Sequence, residues 1–350
     1  MTDEGRTTRK GLGVILWGVA SATLLTAFVD ASGLKYAQHF VWPTDTYAFE
    51  HGRFAPIDVA MIGSSRVGFD LSPTAVDQCL AERIGRPTRS VNLARRFATA
   101  FSVEMMAKDL LEGERRPKVL LFGVEPEGMN ARNHESAENT PAHASLASVP
   151  ETLVDARNWS DLTGALRTLG RGPENLAAFV VGASDTDPRL RWQMLFAGGG
   201  AWCFGSEACV AQNQSMMRTE RTRWDLRVAE WIPHVTEERF TRYELGTGIN
   251  HEAMLRLIEW ARANDVKLAL LDMPLHPIFR EQIPKEIQVD YERYVDALAK
   301  EHDLPLYRPD AMELAPDRDA WIDPDHLSAK GSLALSQAVC DELLAPLLER

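Results

Sequence analysis

Three short segments of this chain are apolar on both faces, and they limit it to a narrow set of folds. They are the run IDVAMI from Ile57 to Ile62, PKVLLFGV from Pro117 to Val124 and VKLALLDM from Val266 to Met273. Each is too short for a buried helix and lacks the polar alternation of a half-solvated strand, so each reads as a strand covered on both sides. Helical patterns lie between them: from Ser72 or Thr74 to about Gly85, near Ala98–Glu112, at 250–264 and near 286–302. Shorter strands are expected at Arg89–Leu93 and Pro305–Tyr307, and a last helix from about Ser328 to Leu348. Strands alternating with helices predict a parallel sheet with right-handed crossovers and helices on both faces, an α/β fold. Residues 128–248 break the alternation with many Asn, Ser, Pro and Gly and with helical patches near 150–180 and 219–231. They read as a long, mostly helical insertion in a domain spanning 57–350.

With 350 residues the chain can bury a large core in one or two domains. Its net charge of −12 excludes a partner that needs a basic face, nucleic acid above all. Four cysteines are too few for a disulfide scaffold. Cys203 and Cys209 flank a short Gly-containing loop and can pair in an oxidising compartment, whereas Cys79 and Cys340 sit in apolar helical patterns and read as buried thiols. No Cys/His cluster has zinc-ligand spacing, so neither a metal nor a cofactor is expected.

Gly11–Val29 is an uncharged stretch of nineteen residues, preceded by Arg6, Arg9 and Lys10 and followed by Asp30. As a helix rising about 1.5 Å per residue it just crosses a hydrocarbon core of about 30 Å. The positive flank puts residues 1–10 in the cytoplasm and everything after Asp30 outside, with 31–56 as a connector. An uncleaved single-pass anchor in the inner membrane is the favoured reading. A cleaved signal peptide is the alternative, although its apolar region is usually only about 7–15 residues long.

The first strand stops at Gly63-Ser64-Ser65-Arg66. A hydroxyl on a tight turn at a strand's C-terminal end faces the crevice where open α/β sheets bind ligands, but serine needs an adjacent base to become a nucleophile. The base is available in Trp321-Ile-Asp323-Pro-Asp-His326, just before the last helix. Asp323 and His326, three apart in one turn, allow the carboxylate to hold one imidazole nitrogen while the other points at Ser65. The plain structural alternative is a helix start capped by Asp323 or Asp325, with His326 on the surface.

These two motifs, in these places, resemble the SGNH (GDSL-like) hydrolase superfamily over about 55–127 and 250–348. The resemblance implies a three-layer, flavodoxin-like parallel sheet, with Ser65 as nucleophile, His326 as base and Asp323 as the orienting acid. The N-terminal anchor, Gly-Ser-Ser-Arg and Met273-Pro-Leu-His-Pro277 look more like an extracytoplasmic branch. That branch includes the D-alanyl transfer protein of teichoic-acid modification and the alginate-acetylation proteins. It implies an acyl donor, a glycan acceptor and a membrane-bound O-acyltransferase as partner. Two departures stand out. The superfamily's oxyanion hole adds a glycine N–H after the second strand and an asparagine after the third to the nucleophile's own N–H. Here the second strand leads into Asn92-Leu-Ala-Arg95-Arg96 with no glycine, and Glu125 stands in the asparagine's place. A carboxylate repels an oxyanion. Asn92 is then the substitute donor, or Glu125 is structural and paired with Arg66 or Arg95.

Arg66 and Arg95 are candidates for binding an anionic substrate or a nearby carboxylate. His276, after the fourth strand, is either a substrate contact or a loop-forming residue. Trp192, Trp202, Trp224 and Trp231 suit sugar stacking or, more commonly, packing. A non-catalytic subunit of a surface-polysaccharide complex is the rival function.

Overall fold

The computed structural model describes residues 56–94, 98–111, 113–131, 224, 228, 232–240 and 242–349, together with Ser21 and Leu24. The chain divides into two compact units, one of Met1–Gly52 and His134–Asp187, the other of Arg53–Asn133 and Pro188–Arg350. The first contributes only Ser21 and Leu24, both exposed, to the described residues; every element below belongs to the second. Among the described residues no helix is long and apolar enough to cross a membrane. The expected span Gly11–Val29 lies outside them except for those two positions, as do Arg95, Cys203, Cys209, Trp192, Trp202, Trp231 and the helical patch at 150–180.

The apolar runs form the strands expected of them. β1 (Val59–Ile62) is followed by helices α1 (Ser65–Asp70) and α2 (Pro73–Ile84), then β2 (Ser90–Asn92), α3 (Ala100–Leu110) and β3 (Val119–Val124). After β3 come α4 (Pro126–Met129), α5 (Ile232–Phe240) and α6 (Gly248–Ala263). Next are β4 (Lys267–Asp272), α7 (Pro277–Arg280), α8 (Lys285–His302) and β5 (Leu306–Tyr307). The local chemistry explains the bounds. In α2, the Ser72 side chain accepts from Ala75 N–H, Pro73 opens the first turn, and Gly85 closes the helix in the left-handed region at φ 69°.

The five strands are parallel in the order β2-β1-β3-β4-β5, with Val59 opposite both Ser90 and Val119, and Val119 opposite Lys267. This is the flavodoxin-like order. Alternate residues explain why both faces had to be apolar. Val59, Met61, Val119, Leu121, Ala269 and Leu271 pack against α1, α2 and the C-terminal helix α9 (Ala329–Val339). Ala60, Ile62, Leu120, Phe122, Leu268 and Leu270 point the other way and are equally buried, on the side of α3 and α6, which lie against each other.

Cys79 and Cys340 are not free thiols, as their apolar settings suggested. They form a disulfide, with Cα atoms 6.3 Å apart. α2 and the C-terminal helical segment pack side by side on one sheet face, which brings together positions 261 apart in sequence.

Candidate active site

The chain leaves β1 toward one side of the sheet and leaves β2 toward the other, so β1 and β3 flank the topological switch point where such sheets bind ligands. Ser65 follows β1 and Glu125 follows β3. Gly63 makes the turn possible: its φ is +154°, and a Cβ there would come within 2.6 Å of Val67 Cγ2. Gly123 is bare for the same reason, since a Cβ on it would overlap the same Val67 methyl. Two glycines thus let α1 settle directly onto the strand ends. Ser64 caps α1, its Oγ accepting from Arg66 N–H at 3.1 Å. Ser65 is therefore the first residue of the helix, where main-chain N–H groups have no intrahelical acceptor.

The other half of the site is a small antiparallel hairpin rather than a simple turn, β6 (Trp321–Asp323) and β7 (His326–Leu327), with Asp323 opposite His326. Its geometry meets Ser65. His326 Nε2 is 3.0 Å from Ser65 Oγ, and His326 Nδ1 is 3.0 and 3.2 Å from the two carboxylate oxygens of Asp323. Asp323 is itself anchored by Asp325 N–H at 2.8 Å, and the edge of Phe69 sets the ring, centroids 5.0 Å apart. With Nδ1–H given to Asp323, the neutral ring offers its Nε2 lone pair to the Ser65 hydroxyl. Burial works against charging His326, but the charge and hydrogen bond of Asp323, with Asp325 and Asp70 nearby, outweigh it and raise its pKa to about 9.

Arg66 does not face a substrate. Its side chain is 2% exposed and is wrapped in carboxylates: Nη1 donates to Glu125 Oε2 at 2.6 Å, Nη2 to Glu127 Oε1 at 2.5 Å, and Nε to Asp325 Oδ1 at 2.7 Å. Arg239 of α5 joins Glu127 from the far side at 3.1 Å. Ser64 Oγ also donates to Glu125, at 2.9 Å. Burial raises Glu125 to about 7 against the pull of Arg66, whereas at Asp325 the charges of Arg66 and His326 overcome burial and lower the pKa. Glu125 is thus tied to Arg66 and Ser64.

Asn92 is committed as well. Its amide donates to Val67 O and Leu71 O at 2.9 and 3.1 Å, and its oxygen accepts from Ala94 N–H. Both donor hydrogens hold α1, so the side chain expected to replace the missing oxyanion donor is spent on that helix instead. His276 caps α7, its Nδ1 accepting from Ile278 N–H at 3.2 Å. Trp224 and Trp321 each meet the ring edge-on, and the main-chain N–H of His276 donates to Pro324 O in the hairpin at 3.2 Å. Burial and then Arg318 lower its pKa, which keeps the ring neutral with its proton on Nε2. Trp224 is buried, with Arg318 over its ring, so it packs rather than offering a free platform to sugars.

Glu127, Arg239 and Asp70 escaped sequence reading. The one available signal was acids inside otherwise apolar segments, Gly68-Phe-Asp70-Leu and Val124-Glu-Pro-Glu127-Gly. No protein-family model matches the chain, and no curated protein matches it.

Proposed function

We propose that this protein is an SGNH-type serine acyl-transfer enzyme, an O-acyltransferase or esterase, held at the outer face of the inner membrane by residues 11–29 and acting on a cell-surface glycan. The observation that carries the reading is the hydrogen-bonded row Ser65–His326–Asp323 at the sheet's switch point. In the first step His326 Nε2 takes the Ser65 proton while Oγ forms a bond to an ester or thioester carbonyl. Asp323 holds the imidazolium, and the Ser65 N–H at the start of α1 faces the developing oxyanion. His326 then protonates the departing alcohol or thiol, leaving an acyl-serine. A glycan hydroxyl, or water, gives its proton to His326 and takes the acyl group, and His326 returns that proton to the departing Ser65 Oγ. A membrane-bound O-acyltransferase that delivers the acyl group across the bilayer is the expected partner. The Cys79–Cys340 disulfide supports the extracytoplasmic address, because such bonds persist in oxidising compartments.

A fluorophosphonate probe tests the chemistry. Wild-type protein is expected to label, with Ser65→Ala silent and His326→Ala at least about 10³-fold slower. Equal labelling of wild type and Ser65→Ala would remove the assignment. One observation favours a second reading, a non-catalytic subunit that kept the fold: Glu125, at the implied asparagine position, and Asn92, its expected substitute, are both tied into structure. A wild-type protein that never labels, while remaining folded, would select that reading.

A further inference from the structure

Ser65 and His326 lie 261 positions apart, and the triad joins the two pieces of chain that carry them only through the Ser65–His326 hydrogen bond itself. Asp323 and His326 share one hairpin, so their hydrogen bond moves with it. Two further joins come from elsewhere on α1. Arg66 Nε donates to Asp325, the residue immediately before His326, at 2.7 Å. Asp70 Oδ1 accepts from the N–H of Leu327, the residue immediately after His326, at 2.8 Å. Arg66 and Asp70 are four apart and so share one face of the helix. Both are fully buried, and the second oxygen of Asp70 has no hydrogen-bond partner. A buried acid satisfied on one side only is costly to keep, and a plain helix-to-strand contact does not call for one.

We propose that α1 is a two-point clamp, Arg66 gripping Asp325 and Asp70 gripping Leu327, that sets the distance between the Ser65 hydroxyl and the His326 ring. Both are positioning residues. Burial pushes the Asp70 carboxyl well above its usual range against the charges of His326 and Arg66, with Asp325 adding to the rise. An amide at this position keeps an oxygen that can accept from Leu327 N–H. The rate readout below rests on the serine acyl-transfer reading; the distance readout does not.

Asp70→Asn keeps the acceptor for Leu327, and Asp70→Ala removes it. Two quantities are measured in full-length protein: the fluorophosphonate labelling rate, and the thiol pKa of Ser65→Cys from its thiolate absorbance relative to wild type. A cysteine beside the His326 imidazolium titrates well below the usual value of about 8.5. Asp70→Asn is expected to label within about threefold of wild type and to leave that thiol low. Asp70→Ala is expected to label about 100-fold more slowly, the scale of a displacement of about 1 Å, and to return the thiol toward about 8.5. The downfield Nδ1–H proton resonance of His326, which reports a bond internal to the hairpin, should persist in Asp70→Ala. If that variant does not fold, Asp325→Ala releases the other grip and is expected to slow labelling about tenfold. Wild-type labelling and a low thiol in the release variant obtained would overturn the clamp. So would loss of the His326 resonance together with labelling, which marks general disorder. A wild type that never labels, but whose Ser65→Cys thiol rises on Asp70→Ala, supports the clamp and overturns the acyl-transfer reading instead.

Discussion

Two polar clusters sit side by side at the switch point, and Arg66 and Asp325 of one are the chain neighbours of Ser65 and His326 of the other. Ser65, Asp323 and His326 form a row in which Ser65 and His326 are partly open to solvent. Arg66, Glu125, Glu127 and Asp325 form a closed cluster just beneath, each side chain 7% exposed or less. One residue of α1 points out and the next points in; the hairpin does the same with Asp323, Asp325 and His326. The open row has the geometry to move a proton. The closed cluster is shut off from solvent, and its acids are held by guanidinium groups. A buried ion cluster of this kind adds little net stability over an apolar core, but removing one member strands the rest. The contrast separates residues whose loss should silence the site from residues whose loss should loosen the protein.

Asp323→Asn should have the largest effect, on rate: labelling or ester turnover about 10³–10⁴-fold lower because the amide misorients the imidazole, with the melting temperature nearly unchanged above about pH 9, where His326 is neutral in both proteins. A comparable loss of stability would erase the distinction between the two clusters. Arg66→Met should reverse the pattern. Three carboxylates left around an apolar side chain cost about 3–5 kcal/mol, read by chemical denaturation, and any folded fraction should melt far below wild type. Arg66→Met at wild-type stability would show that the cluster is not the foundation of the site.

pH sharpens the comparison further. His326 must be neutral to accept the Ser65 proton, and its pKa is raised to about 9. Labelling should therefore rise about tenfold per pH unit from 6 to 8 and level off above about 9. The sign for stability is opposite. A raised histidine pKa stabilises the fold fully below its unfolded value of about 6.5, and that contribution is lost as pH climbs through about 9. The fall in melting temperature across that window should shrink in His326→Gln. The smallest effect is expected at Asn92. As a tie to Val67 and Leu71, its replacement by Ala should cost about 1 kcal/mol of stability and less than tenfold in rate, against about 10²–10³ for an oxyanion donor.

The strand signals were strong because β1, β3 and β4 are covered on both sides, and a doubly buried strand has to be apolar at nearly every position. The hairpin Trp321–Leu327 was read only as a turn, because strands of two and three residues around Pro324-Asp325 leave no period to detect. α1 was hidden for a similar reason: Ser65–Asp70 is under two turns long and contains a glycine. The disulfide could not be read either, since both cysteines look like ordinary apolar helix residues until two helices are laid on one face.

The amino-acid order by itself determined that the chain makes an α/β sheet, and it marked Ser65, Asp323 and His326 as chemically apt, because burial and hydrogen-bonding capacity are written in residue type and local spacing. Only the tertiary structure decided which polar groups are already engaged. It turned Arg66 and Glu125 inward onto each other, committed Asn92 to α1, and set Asp70 against Leu327. A hydrogen bond depends on distance and direction between groups far apart in the chain, and neither quantity exists until the chain has closed on itself.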